Sequence, residues 1–309
     1  MDSYLQLVTR LGEASVKKHH DAYADVDWSH PNHRVEHDDP RFELGEDDAL
    51  GATEWYRAQP GERRAQIGLH LIASRMRVGI DFECVLSRGL LEMAQALPSG
   101  APEMRYALHE VIEEGQHSLM FQELIARIGL PVEGLYGLRL WGSRSVPAFA
   151  RTDPERFFVH VLSGEAPIDF LQRRTLDKTR AVHPLLRRIM QIHVTEEARH
   201  ICFAEQYLEH HVRAMSRWRR AQLALVAPFI VSGTVEPMMY LPRDVVRTQG
   251  IPRAVAVEAN RSPLLRRDID EGLRPIHTLM GRLGLLTRRT APLWRFLGVG
   301  PQSATLAVA

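Results

Sequence analysis

The sequence predicts an all-α protein built on a four-helix bundle, two antiparallel hairpins joined by a long crossover, with additional helices towards its C-terminus. Three observations carry this. Apolar residues recur at helical spacing from Gly61 onward. Proline and glycine punctuate that pattern at regular limits. The connections between the resulting segments run short, long, short.

Residues 1–60 are polar and interrupted, with His19, His20, His30, His33 and His37 set among Asp and Pro. They are expected to form an irregular arm with short helical pieces and no fixed metal-binding spacing. The bundle is expected over residues 61–216, in segments from Glu62 to Leu97, Pro102 to Ile128, Pro154 to Thr179 and Pro184 to Met215. Leu97-Pro98-Ser99-Gly100 breaks the first segment, and Pro102 suits the first turn of the second. Gly129-Leu130-Pro131 stops the second, Asp153-Pro154 reads as a cap followed by a first-turn proline, and Pro184 opens the fourth in the same way. Residues 217–309 carry shorter pieces, Trp218 to Val231, Arg243 to Gln249, Ser262 to Met280 and Pro292 to Phe296, expected to pack on the bundle. About four residues join each pair of long segments, whereas the stretch from Gly129 to Asp153 is long enough to cross the bundle. One long crossover between two hairpins is the ferritin-like connection.

Composition excludes several classes. With 39 basic against 38 acidic residues and a net charge of +1, nothing favours a nucleic-acid partner. Two cysteines, Cys84 and Cys202, are too few for a stapled secreted fold, and no charged start with a following apolar run opens the chain. A cytoplasmic setting is expected. The longest apolar stretch, Ala221 to Gly233, is too short to span a membrane and reads as a buried or partner-facing helix.

Chemistry enters through two Glu-x-x-His pairs, Glu114-Gly-Gln-His117 and Glu197-Ala-Arg-His200. Residues three apart on a helix share a face. The buried stripe of the fourth segment runs Leu186, Met190, His193, Glu197, His200, Ala204 and Leu208, and that of the second runs Ala107, Glu110, Glu114, His117, Phe121, Leu124 and Ile128. Both pairs therefore point inward. The first segment adds Glu83 to its stripe and the third adds Glu165. Glu83 and Glu114 lie 13 to 15 residues either side of the first turn, or roughly 20 Å at 1.5 Å per residue, and Glu165, Glu197 and His200 lie at a similar distance from the second. All six side chains can meet at one depth.

Burying four carboxylates without compensation costs about several kcal/mol per ion, so cations are expected at the centre. One Glu from each of two helices plus Glu-x-x-His from each of the other two is the donor set of a two-metal carboxylate bundle, and mixed oxygen and nitrogen donors favour iron, or alternatively manganese, over calcium. His193, four residues before Glu197, reads either as a seventh ligand or as a core histidine. Glu110, in the corresponding place before Glu114, and Asp169, one turn after Glu165, are candidates to support ligands from behind. Glu113 and Glu196 turn off the inner face and are expected to be exposed or paired with arginine. Cys84 and Cys202 read as small core residues. No nucleotide-binding glycine motif, Gly-x-Ser-x-Gly elbow or Cys-x-x-Cys occurs, so no reductase or flavin module is visible.

At Glu83, Glu114-x-x-His117, Glu165 and His193-x-x-x-Glu197-x-x-His200, the sequence resembles the di-iron arylamine N-oxygenases, the p-aminobenzoate N-oxygenase-like family of the ferritin-like superfamily. The resemblance covers about Gly61 to His211. The histidine four before the last Glu-x-x-His distinguishes this family from desaturases, ferritins and ribonucleotide reductase small subunits, and so implies that His193 is a ligand. Glu92 lies off the stripe, which favours Glu83. The resemblance implies a homodimer, two iron ions that activate O2 when reduced, oxidation of a small aromatic amine through hydroxylamine towards nitroso or nitro, and electrons from a separate ferredoxin or reductase. No substrate-binding residue carries over. A desaturase-like acyl or alkyl oxidase would need only six ligands, without His193. A ferritin-like ferroxidase would form a cage and turn over Fe(II) without organic substrate.

Overall fold

A computed structural model describes residues 3–177 and 181–301. Among these residues there is no strand. In chain order the helices are α1 (Ser3–Lys17), α2 (Glu54–Arg57), α3 (Gly61–Ala96), α4 (Pro102–Ile128), α5 (Gly137–Ser143), α6 (Val146–Thr152), α7 (Pro154–Thr175), α8 (Pro184–Ala214), α9 (Arg217–Met239), α10 (Arg243–Thr248), α11 (Arg253–Asn260), α12 (Pro263–Arg282) and α13 (Ala291–Phe296). The protein is an all-α, ferritin-like bundle, with α3 packed on α4 and α7 on α8 as its two hairpins.

The punctuation works as the sequence predicts. Pro102 and Pro184 sit in the first turns of α4 and α8, where no intrahelical N–H is needed. Gly129 ends α4 in the left-handed conformation (φ 66°), which glycine enters without a Cβ clash, and its N–H returns to the Ile125 carbonyl. Asp153 does stand before Pro154, but its carboxylate pairs with Arg156 at 3.2 Å and makes no side-chain cap.

Four expectations are corrected. The arm begins with a 15-residue amphipathic helix, α1, which buries Tyr4 and Val8 and packs on α4 and α8; its apolar residues are spaced for a helix but diluted by polar ones. The crossover carries two short helices, α5 and α6, and α11 lies in a stretch with no expected element. Helix α7 stops at Thr175; Lys178 and Thr179, which close the predicted segment, lie outside the described residues. Helix α9 runs on through Pro228 and Pro237 to Met239, so the helical stretch Arg217–Thr248 is by length and composition apolar enough to cross a membrane, although half of its most apolar window is buried inside the protein.

The apolar core of the bundle is split. One cluster holds Leu86, Leu90, Ala107, Phe158, Phe203 and Ala204, and another holds Ala73, Met76, Phe121, Leu124, Leu186 and Ile189. On α3, α4 and α8 the residues between these two sets are the acids and histidines of the candidate site. Helices α9 and α12 pack on α7.

Candidate metal centre

Glu83 on α3, Glu114 and His117 on α4, Glu165 on α7, and His193, Glu197 and His200 on α8 all reach the interior, none more than 5% exposed. The depth argument is met. Donor atoms of Glu83, His117 and His193 lie within 4.8 Å of one another, as do those of Glu114, His117 and Glu197, and those of Glu110, Glu114, Glu165 and His200. Across the bundle His200 Nδ1 lies 2.9 Å from Glu114 Oε1, and His117 Nδ1 lies 3.1 Å from Glu114 Oε2 and 3.4 Å from Glu197 Oε1. His193 Nε2 stands 3.5 Å from both Glu83 and Glu197.

Hydrogen bonding leaves much of this layer unsatisfied. Both oxygens of Glu165, Glu197 and Glu110 and both ring nitrogens of His193 are buried without a well-directed hydrogen bond, and the 2.9 Å approach of His200 Nδ1 to Glu114 Oε1 is not aligned as one either. Such groups are costly unless something else engages them. A cation pair is what this donor set fits: the orphaned atoms are the ones that converge.

Burial and crowding pull the titration of this layer in opposite directions. Burial, reinforced by Glu114, Glu197 and Glu165, pushes Glu83 well above the ordinary carboxylate range, and burial does the same to Glu165 with Glu197 beside it. Burial brings Glu110 to about 8, with His200 opposing. For Glu114, burial is outweighed by His200 and His117, which hold it well below the usual value. Burial also opposes protonation of His117, but its hydrogen bonds with Glu114 and Glu196 win and raise it to about 9. His193 has no such partner, and burial takes it down to about 4.

The acids next to the predicted ligands are a correction. Glu113 and Glu196 are 2% and 0% exposed, and each crosses to the opposite pair. Glu113 Oε2 lies 2.8 Å from His200 Nε2, and Glu196 Oε2 lies 3.0 Å from His117 Nε2. Arg199 Nη2 also donates to Glu113 at 2.8 Å, so the expected arginine pairing is present, but on a buried acid. Behind them the N-terminal segment closes the layer: the backbone N–H and Nδ1 of His20 both lie 3.0 Å from Glu196 Oε1, and Arg199 Nε donates to Ser15 Oγ of α1 at 3.1 Å. Sequence reasoning missed this network. Its signal was there, because both pairs read Glu-Glu-x-x-His, Glu113-Glu114 and Glu196-Glu197. His20, in an irregular stretch, carried none.

The other expectations divide. Glu110 lies among the converging donors, closer than a purely supporting place one turn away suggests. Asp169 does not support a ligand histidine; it pairs with Arg173 one turn on at 2.7 Å. Cys84 is exposed and Cys202 half-buried, so Cys84 is not a core residue.

A cavity of about 520 Å3 adjoins the centre, bordered by Glu83, Glu165 and His193 and, elsewhere on its wall, by Arg75, Gln172 and Arg174. Arg174 is engaged by Asp268. Among the described residues Arg75 has no ion-pair partner, and its Nε is sealed from solvent without a hydrogen bond, as is Gln172 Oε1.

Comparison with known proteins agrees with this geometry. The family model described as P-aminobenzoate N-oxygenase AurF matches residues 2–284. Uncharacterised proteins of Mycobacterium tuberculosis (Rv0885 in strain H37Rv, MT0908 in CDC 1551) and of Mycobacterium bovis (Mb0909) are each 37% identical over 293 residues, 94% of this chain and 86% of the relative. A split apolar core, an acid-and-histidine layer between four helices and a family match over nearly the whole chain lead to one conclusion: the protein belongs to the p-aminobenzoate N-oxygenase family, whose members are di-iron oxygenases.

Proposed function

We propose that the protein is an N-oxygenase of small aromatic amines, with two iron ions held by Glu83, Glu114, His117, Glu165, His193, Glu197 and His200. The observation that carries the reading is the convergence of these donors, with so many of their atoms buried and unpartnered, at the wall of a cavity large enough for an organic substrate. When bound, the iron pair would supply the activation of O2. The chain's own work is to hold the donors, exclude water and orient the amine.

Glu113 and Glu196 hold the rings of His200 and His117 so that Nδ1 of each faces the centre. The apolar clusters on either side keep water from the layer. Among the described arginines of the cavity wall Arg75 makes no close ion pair, with Asp48 and Asp268 acting on it only from a distance, and it suits an acidic group on the substrate, which would fix the ring and present its nitrogen to the centre. Electrons would come from a separate protein.

The test is a single turnover. Protein loaded with two equivalents of Fe(II) is exposed to O2 with 4-aminobenzoate and related arylamines, and products are read by mass spectrometry. Hydroxylamine, nitroso or nitro product that vanishes in Glu197→Ala supports the reading. Two bound irons with no amine product from any arylamine would overturn N-oxygenation, and failure to bind iron would remove the site.

A further inference from the structure

A second cavity, of about 350 Å3, adjoins the first, and Phe82 and Met238 line both. Its remaining wall is largely apolar, with Val85, Leu86, Phe149, Phe157, Val161 and Ile230 among its residues. The polar groups on it are already engaged or uncharged. Arg139 pairs with Glu236, and the hydroxyls of Ser143, Ser145 and Thr234 donate to nearby main-chain carbonyls. Burial takes His160 down to about 4, so its ring is neutral at pH 7. This contrasts with the first cavity, where Arg75 and Gln172 hold polar atoms in reserve.

The residues common to both cavities contribute a ring and a thioether, and both can rotate without moving a helix. Phe82 precedes Glu83 and lies flush on α7 at Gly164, where a Cβ would overlap its ring. Gly164 in turn precedes Glu165. The Phe82 ring therefore stands directly beside the candidate centre.

Size is the second argument. A cavity of about 150 Å3 suffices for a benzene ring. The first cavity alone exceeds that more than threefold, and both together fall in the range of sites for larger organic ligands. Along α3, Arg75 and Leu86 are eleven residues apart, about 16 Å of helix. A single-ring acid held by Arg75 leaves the second cavity empty.

We propose that the substrate is an amphipathic acid, its anionic group on Arg75, its reacting segment beside the candidate centre, and an apolar tail of about eight carbons or a second ring passing Phe82 and Met238 into the second cavity. Phe82 then sets the length of tail accepted. This rests on reading the first cavity as the substrate site.

Binding tests it without metal or turnover. Benzoate, 4-butylbenzoate and 4-octylbenzoate are titrated calorimetrically into the wild-type protein and into Gly233→Trp and Gly142→Leu, which add side chains to the second cavity's wall from α9 and α5. A Cβ at either glycine meets nothing within 4 Å, so both variants should fold. The expected result is one-to-one binding that tightens at least about a hundredfold from benzoate to the octyl acid, a conservative part of what burying the tail's CH2 groups in a dry apolar cavity can return once ordering of the tail is subtracted. Most of that gain should disappear in both variants while benzoate affinity holds, and Phe82→Ala should admit a bulkier 4-cyclohexylbenzoate more tightly than wild type does. A gain under threefold, a gain retained in both variants, or no saturable binding of any member overturns the proposal. The oxygenase reading fails separately: a tail-length response without amine product removes the reaction and keeps the cavity, while product from short arylamines with a flat response removes the second cavity alone.

Discussion

The carboxylate of Glu113 on α4 lies 2.8 Å from Nε2 of His200 on α8. The same contact is made in reverse between Glu196 on α8 and His117 on α4, at 3.0 Å. Each helix thus supplies the acid that orients the other helix's histidine, so the two Glu-Glu-x-x-His segments form one reciprocal unit. A support of this kind fixes the ring and its tautomer and raises the basicity of the nitrogen facing the centre.

Glu113→Ala and Glu196→Ala should each weaken Fe(II) or Co(II) binding by about 10- to 100-fold. Competition with a chelator reads the affinity, and far-UV circular dichroism checks that the bundle persists. Unchanged affinity in a folded variant would mean that the contacts are structural only.

In the proposed ligand set, His193 is what separates this site from a six-ligand carboxylate centre. Burial keeps it neutral down to about pH 4, so it can offer a lone pair at pH 7 without losing a proton. His193→Ala should leave one metal bound nearly as before and weaken the other by about tenfold or more, seen as two separated steps in a titration. Two equal sites in the variant would favour the desaturase-like arrangement.

Metal loading should improve with rising pH. Glu110, at about 8, and His117, at about 9, carry protons at pH 7, and Glu83, Glu165 and His200 are also shifted upwards. Metal must displace the protons held by the ligands among them, and its charge also favours loss of the one on neighbouring Glu110, so affinity rises as pH climbs towards 9 and falls on acidification, and binding at pH 7 releases protons. Calorimetry in buffers of different ionisation enthalpy counts them. Release of no protons at pH 7 would contradict the arrangement.

His20 ties the N-terminal segment to the supporting acid. Replacing it by Ala removes the ring contact with buried Glu196 but leaves the backbone N–H bond, and should cost about 1–2 kcal/mol of unfolding free energy. Urea denaturation of wild type, His20→Ala and His20→Asn tests this, with partial recovery expected in the Asn variant. Equal midpoints in all three would show that the segment does not brace the layer.

Arg75→Gln should raise the KM for acidic arylamines by about 10- to 100-fold while leaving kcat for a neutral amine close to wild type. An equal loss with both kinds of amine would assign Arg75 to packing.

The bundle and its polar layer were legible in sequence because they depend on local periodicity. A 3.6-residue stripe states which face of a helix is buried, and loop length states which helices are neighbours, so the sequence alone puts Glu83, Glu114, His117, Glu165, His193, Glu197 and His200 at one depth. Proline and glycine marked the start of α8 and both ends of α4 for the same local reason. Helix α1 carries a helical pattern that its polar residues dilute, and the extension of α9 past two prolines has none of its own; burial against α4, α8 and α7 fixes both. The doubled acids of the two Glu-Glu-x-x-His segments hinted at Glu113 and Glu196, but which histidine each one holds, and the role of His20, were decided by tertiary structure. Each lies off the ligand stripe or outside a regular helix, and its place is set by how α4, α8 and the N-terminal segment approach one another. The same holds for Arg75: among so many arginines, only packing could leave this one unpaired at the cavity wall, because pairing is a property of neighbours distant in the chain.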